Sequence, residues 1–375
     1  MEWKTVKLGE VCNLLTGFPF KGNLYAKDGI RVLRGENIGD KELHFDGRND
    51  KRWNLPFDKI EQYSLREGDI VMQMDGNVGK NKARLLHDDI PMLIAQRVAC
   101  LREKEGISDQ RYLYFVITGT PFHQYLDSVK TGTSIQHISL KQIGDFELPL
   151  PPLETQRRIA AILSSLDDKI ENNNRINRNL EAQAQALFKS WFVDFEPWGG
   201  IMPEDWKEGT LGEICKIKYG KGLSTNLLTD EGYPVFGGNG VIGYYSKFLY
   251  ELPQILVSCR GAASGKIMES DPHSFVTSNS LVLEMNDRAY YYYLKYLLLA
   301  NPLYNYATGS AQPQITIDNI KDVDIVLPSI DIVNTISEKF EVIDEQIRSL
   351  RRENHRLAAL RDTLLPKLMR GEITL

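Results

Sequence analysis

TGTSIQHISLKQIGDFELPLPP, residues 131–152, and TGSAQPQITIDNIKDVDIVLPS, residues 308–329, stand 177 positions apart (308 − 131) in a chain of 375. Each opens on Thr-Gly, crosses a glutamine-containing polar stretch and reaches an isoleucine followed by a hydroxyl residue. Each then sets an aspartate before alternating apolar positions and closes on Leu-Pro. Alternation of period two reads as a half-buried strand. The recurrence says that the chain is written as two copies of one plan.

The echo extends outward. WKTVKLGEVCNLLTG from Trp3 is matched by WKEGTLGEICKIKYG from Trp206, with Trp, Leu-Gly-Glu, Cys and Gly all displaced by 203 (206 − 3). GDIVMQMDGNVGK from Gly68 is answered more loosely by PQILVSCRGAASGK from Pro253, an apolar run entering a Gly-rich turn that ends in Lys80 or Lys266. The displacement falls along the repeat, so the second copy is shorter in its loops, where losses are tolerated.

After each Leu-Pro the period changes to that of a helix. Ile336, Phe340, Ile343, Ile347, Leu350, Asn354, Leu357, Arg361 and Leu364 are spaced four, three, four, three, which is a heptad seam. Ile159, Leu163, Leu166, Ile170, Asn173, Asn177, Leu180, Ala184 and Leu187 repeat it in a less apolar form. No proline falls between Glu154 and Glu196 or between Ser329 and Leu365. Each helix can therefore run roughly 35–40 residues, about 55–60 Å at ~1.5 Å per residue. Two helices of equal phase most simply pair antiparallel as a coiled coil, with a related head at each end. Asn177 and Asn354 share a heptad position: as polar seam residues they would fix register at some cost in stability, and slightly off the seam they would sit in water. The expected class is α+β, with heads at 1–150 and 196–328 and helices at 151–195 and 329–375.

The composition, 42% hydrophobic and 25% charged, is that of a soluble globular protein. The longest apolar run, YYYYLKYLLLA at 290–300, is interrupted by Lys295 and is too short to span a bilayer. MEWKTVKLGEV lacks a basic region followed by an apolar one, so the expected location is cytoplasmic. Cys12, Cys100, Cys215 and Cys259 are scattered without a CxxC pair, as reduced, mostly buried thiols are. A net charge of −5 argues on its face against a nucleic-acid binder, yet 45 Lys and Arg residues can gather on one side.

Catalytic signatures are missing. GAASGKI from Gly261 has three residues between its glycines and Ile267 where a phosphate loop needs Ser or Thr, so it reads as a turn. GGNG at Gly237 completes no dinucleotide fingerprint, and no GxSxG, HExxH or methyltransferase Asn-Pro-Pro-aromatic tetrad occurs. Among the histidines only His137 lies in the repeated polar stretch, and its counterpart is Gln314, which favours a hydrogen-bonding contact over a proton shuttle. Groove readout uses Arg or Lys on guanine and Asn or Gln on adenine, while Lys, Arg and hydroxyls grip phosphates. The first copy offers Arg31, Arg34, Gln73, Asn77, Lys80, Lys82, Arg84, Gln96, Arg97, Lys130, Thr131, Thr133, Ser134, Gln136 and His137. The second offers Lys218, Lys221, Asn239, Arg260, Ser264, Lys266, Asn279, Thr308, Ser310, Gln312 and Gln314. Any one of these taken singly is more often plain solvated surface; the recurring Thr-Gly-to-Gln stretch raises the standing of its own members.

LPLPPLETQRRIAAILSSLDDKIENNNRINRNLEAQAQALFKSWFVDFEP, residues 148–197, resembles the central region of the specificity subunit of type I restriction-modification systems, and RDTLLPKLMRGEI, residues 361–373, resembles that family's ending. The resemblance spans essentially the whole chain. It implies that each head is a target recognition domain reading one half of a bipartite, asymmetric double-stranded DNA site, with the paired helices setting the gap. A seam of roughly 45–60 Å corresponds to about 13–17 base pairs. It further implies docking of two modification (methyltransferase) subunits that bind S-adenosylmethionine and methylate adenine. Restriction subunits would add ATP- and Mg-dependent translocation and cleavage in bacterial defence. This chain would hold no cofactor, metal or active site of its own. LPSIDIVNTI in the second repeat departs from LPPLETQRRI in the first, which puts docking at the second helix in question. LFKSWFVDFEPW, residues 187–198, reads either as anchors for a partner or, more simply, as packing of the first helix onto the second head. Three other readings stand beside this one: a single-chain restriction-methylation enzyme, whose motifs are missing; a scaffold with two protein-binding heads; and a solitary specificity subunit without active partners.

Overall fold

The computed structural model describes residues 3–46, 50–56, 60–76, 78, 81–85, 89–132, 136–309 and 312–373. The repeat of sequence is a repeat of topology. The first copy has a four-stranded sheet in the order Cys12–Thr16, Val98–Glu103, Ile70–Gln73, Lys82–Arg84, and the second has Cys215–Tyr219, Ser280–Met285, Ile255–Ser258, Ile267–Glu269 in the same order. The central strands are apolar runs, IVMQ and ILVS, because both of their faces are covered. A three-stranded sheet follows the same rule: Lys51–Trp53, Ile30–Leu33, Met92–Ile94 against Gly240–Tyr245, Tyr233–Gly237, Phe275–Val276, with one parallel pairing in each. The alternating ends of the opening stretches, Glu147–Leu150 and Asp324–Leu327, pair antiparallel with Lys4–Lys7 and Lys207–Thr210.

Backbone crowding explains one glycine pair. A Cβ on Gly17 would stand 2.1 Å from the Ile94 carbonyl oxygen, and one on Gly220 would stand 2.2 Å from that of Thr277. At that approach only glycine fits.

The helices Leu153–Phe192 and Ile330–Met369 are each 40 residues long, the second running on through Pro366. They do not form a body apart from the heads. The chain divides into two compact units, Met1–Asn172 with Glu353–Leu375 and Asn173–Arg352, so each unit takes half of each helix. The reason is burial. In the first unit Ile159, Ala160, Leu163 and Leu368 join one core with Leu8, Tyr112 and Phe146. In the second, Ala184, Phe188, Val333, Ile336 and Phe340 close on Trp206, Tyr293 and Tyr296.

Within each unit the helix halves run antiparallel. Arg361 pairs with Asp167 at 2.7 Å and Lys169 with Glu353 at 3.7 Å in the first unit, and Arg351 pairs with Glu181 at 2.8 Å in the second. Leu166, Ile170, Leu180, Leu187, Ile343, Leu350, Leu357 and Leu364 are half-buried, and Ile347 is buried. Asn173 and Asn177 are buried and Asn354 half-buried, so none of the three is a freely solvated side chain. The aromatic stretch packs inside its own unit, where Phe192 lies 4.9 Å from Tyr293 and 5.7 Å from Trp206, and Trp198 lies 5.3 Å from Trp206. Among the described residues no helix is long and apolar enough to cross a membrane.

Candidate nucleic-acid interface

Beyond the central strand of each four-stranded sheet the chain turns at Asp75–Gly76 or Arg260–Gly261, and the turn is held by the repeated Thr-Gly stretch. Gly76 and Gly261 have φ of 74° and 76°, and Gly132 and Gly309 have 98° and 93°. These left-handed conformations are cheap only for glycine. The Gly76 N–H donates to the Gln136 carbonyl at 2.8 Å, and Gly261 donates to Pro313 at 2.9 Å. His137 and Thr131 exchange backbone bonds at 2.7 and 2.9 Å, Gln314 and Thr308 at 2.8 and 2.9 Å. Ile138 donates to Met74 as Ile315 donates to Cys259, and Met74 donates to Arg97 as Cys259 donates to Asn279. Two copies of one backbone frame thus present side chains at 75, 97 and 137 in the first head and at 260, 279 and 314 in the second.

In the first head Asp75 stands between two donors. Its carboxylate is 2.6 Å from His137 Nδ1 and 3.5 Å from Arg97 Nε. Arg97 is exposed and holds φ at 71°, which strains a side chain with a Cβ. Gln96 is exposed in the same turn, and Gln136 and the hydroxyl of Thr131 complete the rim. Gln73 lies beside it, accepting from the Asn81 amide at 3.0 Å. In the second head Arg260, Asn279, Gln312, Gln314 and Thr308 are exposed. Lys266 donates to the exposed Asn239 at 2.5 Å. Ser264 is buried and donates to the Pro313 carbonyl at 2.8 Å, so it secures the turn.

Other candidates are engaged elsewhere. Arg31 pairs with Asp50 at 3.0 Å and lies 4.4 Å over the Phe45 ring; its hydrogen bond holds the Asp50 carboxyl below its ordinary range. Arg34 pairs with Glu36, Lys130 with Asp127 at 2.6 Å, and Lys218 with Glu284 at 2.5 Å. Lys221 is exposed and Arg84 half-buried. Lys82 corrects the sequence reading. It is buried, 2.8 Å from His123 Nε2, and burial pushes its pKa down to about 7, so it faces no phosphate. Asn77, Lys80, Thr133, Ser134 and Ser310 lie outside the described residues. The sequence reading missed Asp75, having counted cations, amides and hydroxyls but no carboxylate. The signal was present in Asp75-Gly76 standing where the second copy has Arg260-Gly261.

The four cysteines are buried, and burial pushes the Cys12 and Cys215 thiols up to about 12, far from a thiolate at neutral pH. Among the described residues no group of three or more His, Cys, Asp or Glu could hold a metal ion. A cavity of about 550 Å³ in the first unit is lined by Tyr112, Phe115, Phe146 and Leu365, with the Asp167–Arg361 pair in its wall.

Comparison with known proteins places this architecture. The family described as "Type I restriction modification DNA specificity domain" matches twice, over residues 1–182 and 203–359. The chain is 25% identical to the MjaIX specificity subunit of Methanocaldococcus jannaschii, over 99% of this chain and 94% of that relative. It is 24% identical to the HindI specificity subunit of Haemophilus influenzae, over 99% of this chain and all of that relative, 100%. In fold it resembles the crystal structure of a type I restriction-modification S subunit from M. genitalium, with a TM-score of 0.61 and 20% identity over 98% and 96% of the two chains. Two copies of the specificity domain, each carrying the same turn frame, make this chain a member of the type I restriction-modification specificity-subunit family.

Proposed function

We propose that the chain reads a bipartite, asymmetric sequence in double-stranded DNA, one head per half-site, and carries the modification and restriction subunits of a type I complex to it. The observation that supports this reading best is the pair of matched frames with unmatched side chains. One scaffold serving two heads needs no sequence difference at its tips for folding, whereas two different half-sites require one. Methylation with S-adenosylmethionine and ATP- and Mg-dependent cleavage belong to the partner subunits; this chain contributes recognition and assembly in the cytoplasm.

The full chain, co-expressed with modification subunits from its source cell and offered a randomised DNA pool, is expected to enrich two short motifs at a fixed separation. Affinity should fall roughly a thousandfold between about 50 and 200 mM salt if several phosphates are contacted. A complex that binds every sequence equally, or binds only protein, would count against the proposal.

A further inference from the structure

Resting on that recognition role, we propose that Asp75, Arg97 and His137 in the first head, and Arg260, Asn279 and Gln314 in the second, are the base-reading positions. Equivalent hydrogen bonds and left-handed glycines whose φ values agree within a few degrees hold both frames, and they differ at one backbone, left-handed at Arg97 and not at Asn279. Against that constancy the side chains change in kind. Position 75 carries a carboxylate where position 260 carries a guanidinium, a reversal of charge that a packing or phosphate-gripping role does not call for. Arg97 corresponds to Asn279 and His137 to Gln314 in the two frames.

These are the groups that distinguish bases. A carboxylate accepts from the cytosine amine, Arg donates to guanine, and Asn or Gln pairs with adenine. The backbone of Arg97 supplies independent support. An exposed arginine at φ 71° occupies a conformation that glycine would adopt more cheaply, and all it returns to the fold is a surface pair with Asp75, worth about 0–1 kcal/mol. Asp75 binds both neighbours, at 2.6 and 3.5 Å, and so holds Arg97 and His137 in place before DNA arrives.

The test transplants one set into the other head. The variant D75R/R97N/H137Q, in the full chain co-expressed with modification subunits, is offered a randomised DNA pool beside the wild type. The bases preferred in one half-site should change by roughly 5- to 100-fold, with adenine gaining over guanine at one position, while the other half-site and the gap stay as they were. Should the triple variant fail to fold, Arg97→Asn alone carries the same expectation at a single base pair. Arg97→Gly should melt at or above the wild-type temperature while losing preference at that base pair. Weaker binding with unchanged preferences would make these positions phosphate contacts and overturn the proposal, as would unchanged binding. A wild-type complex that selects no bases would overturn the recognition role itself, and this proposal with it.

Discussion

Lys295→Met is expected to lower the unfolding free energy of the Asn173–Arg352 unit by about 3–5 kcal/mol. Lys295 lies in the helix Tyr291–Ala300, 7% exposed, with Nζ 2.5 Å from Asp344 of the second long helix and 2.9 Å from Glu269. Tyr296 donates to Asp344 at 2.6 Å, Tyr291 donates to Glu269 at 2.8 Å, and Arg348 approaches Glu269 at 3.7 Å. Removing the ammonium leaves the buried Asp344 carboxylate without Lys295 and Glu269 with the more distant Arg348, and burial already pushes the Asp344 carboxyl up. The loss should therefore far exceed that of a surface pair, which is about 0–1 kcal/mol. Pairing the change with Asp344→Leu should recover much of it, because a buried ion pair replaced by apolar groups is often near neutral. Urea unfolding followed by tryptophan emission measures both, since Trp206 packs in the core that holds Phe340. A single-variant loss under about 1 kcal/mol would show that the network does not fix this head to its helix.

Lys82→Met should produce the second large effect, visible as a function of pH. Burial lowers the native Lys82 pKa from 10.5 to about 7. Below about 7 the amine is charged in both native and unfolded chains, and the burial penalty is fully present. Between about 7 and 10.5 the unfolded chain holds a proton that the native chain lacks, so native stability rises with pH. Relative to the methionine variant, the wild type should gain about 1.4 kcal/mol per pH unit across that window. His123, which burial and Lys82 hold below its ordinary range, titrates under the window and does not confuse it. Denaturation of both chains at pH values from about 6 to 10 checks this. Parallel stability curves would mean that Lys82 keeps its proton throughout.

These two lysines also show where sequence reading ends. The twofold plan was legible because displaced pairs such as Leu8 and Leu211, or Cys12 and Cys215, recur in one order, and burial of one hydrophobic set is what a fold preserves. The helices were legible because a four-three spacing has no other ready meaning. Lys82 and Arg84 share one face of their strand, and nothing in Lys82-Ala83-Arg84 told that the lysine would be buried and the arginine only half-buried. Lys295 looked like an interruption of an apolar run. Its partners Asp344 and Glu269 stand 49 and 26 positions away (344 − 295 and 295 − 269), beyond any local pattern. Asp75 was passed over for a different reason: its role depends on His137 and Arg97, which only the turn frame brings to it. Division of the chain was also hidden, because periodicity shows where a helix runs and not which head each half of it joins.

Single-molecule sequencing of genomic DNA from the source cell, with and without this gene and scored for N6-methyladenine, tests the central claim most directly. A bipartite, asymmetric methylated motif that disappears on deletion is the predicted result, and its two halves would be the sites of the two heads. An unchanged methylome, with an intact modification gene expressed beside it, would contradict a role for this chain in directing methylation.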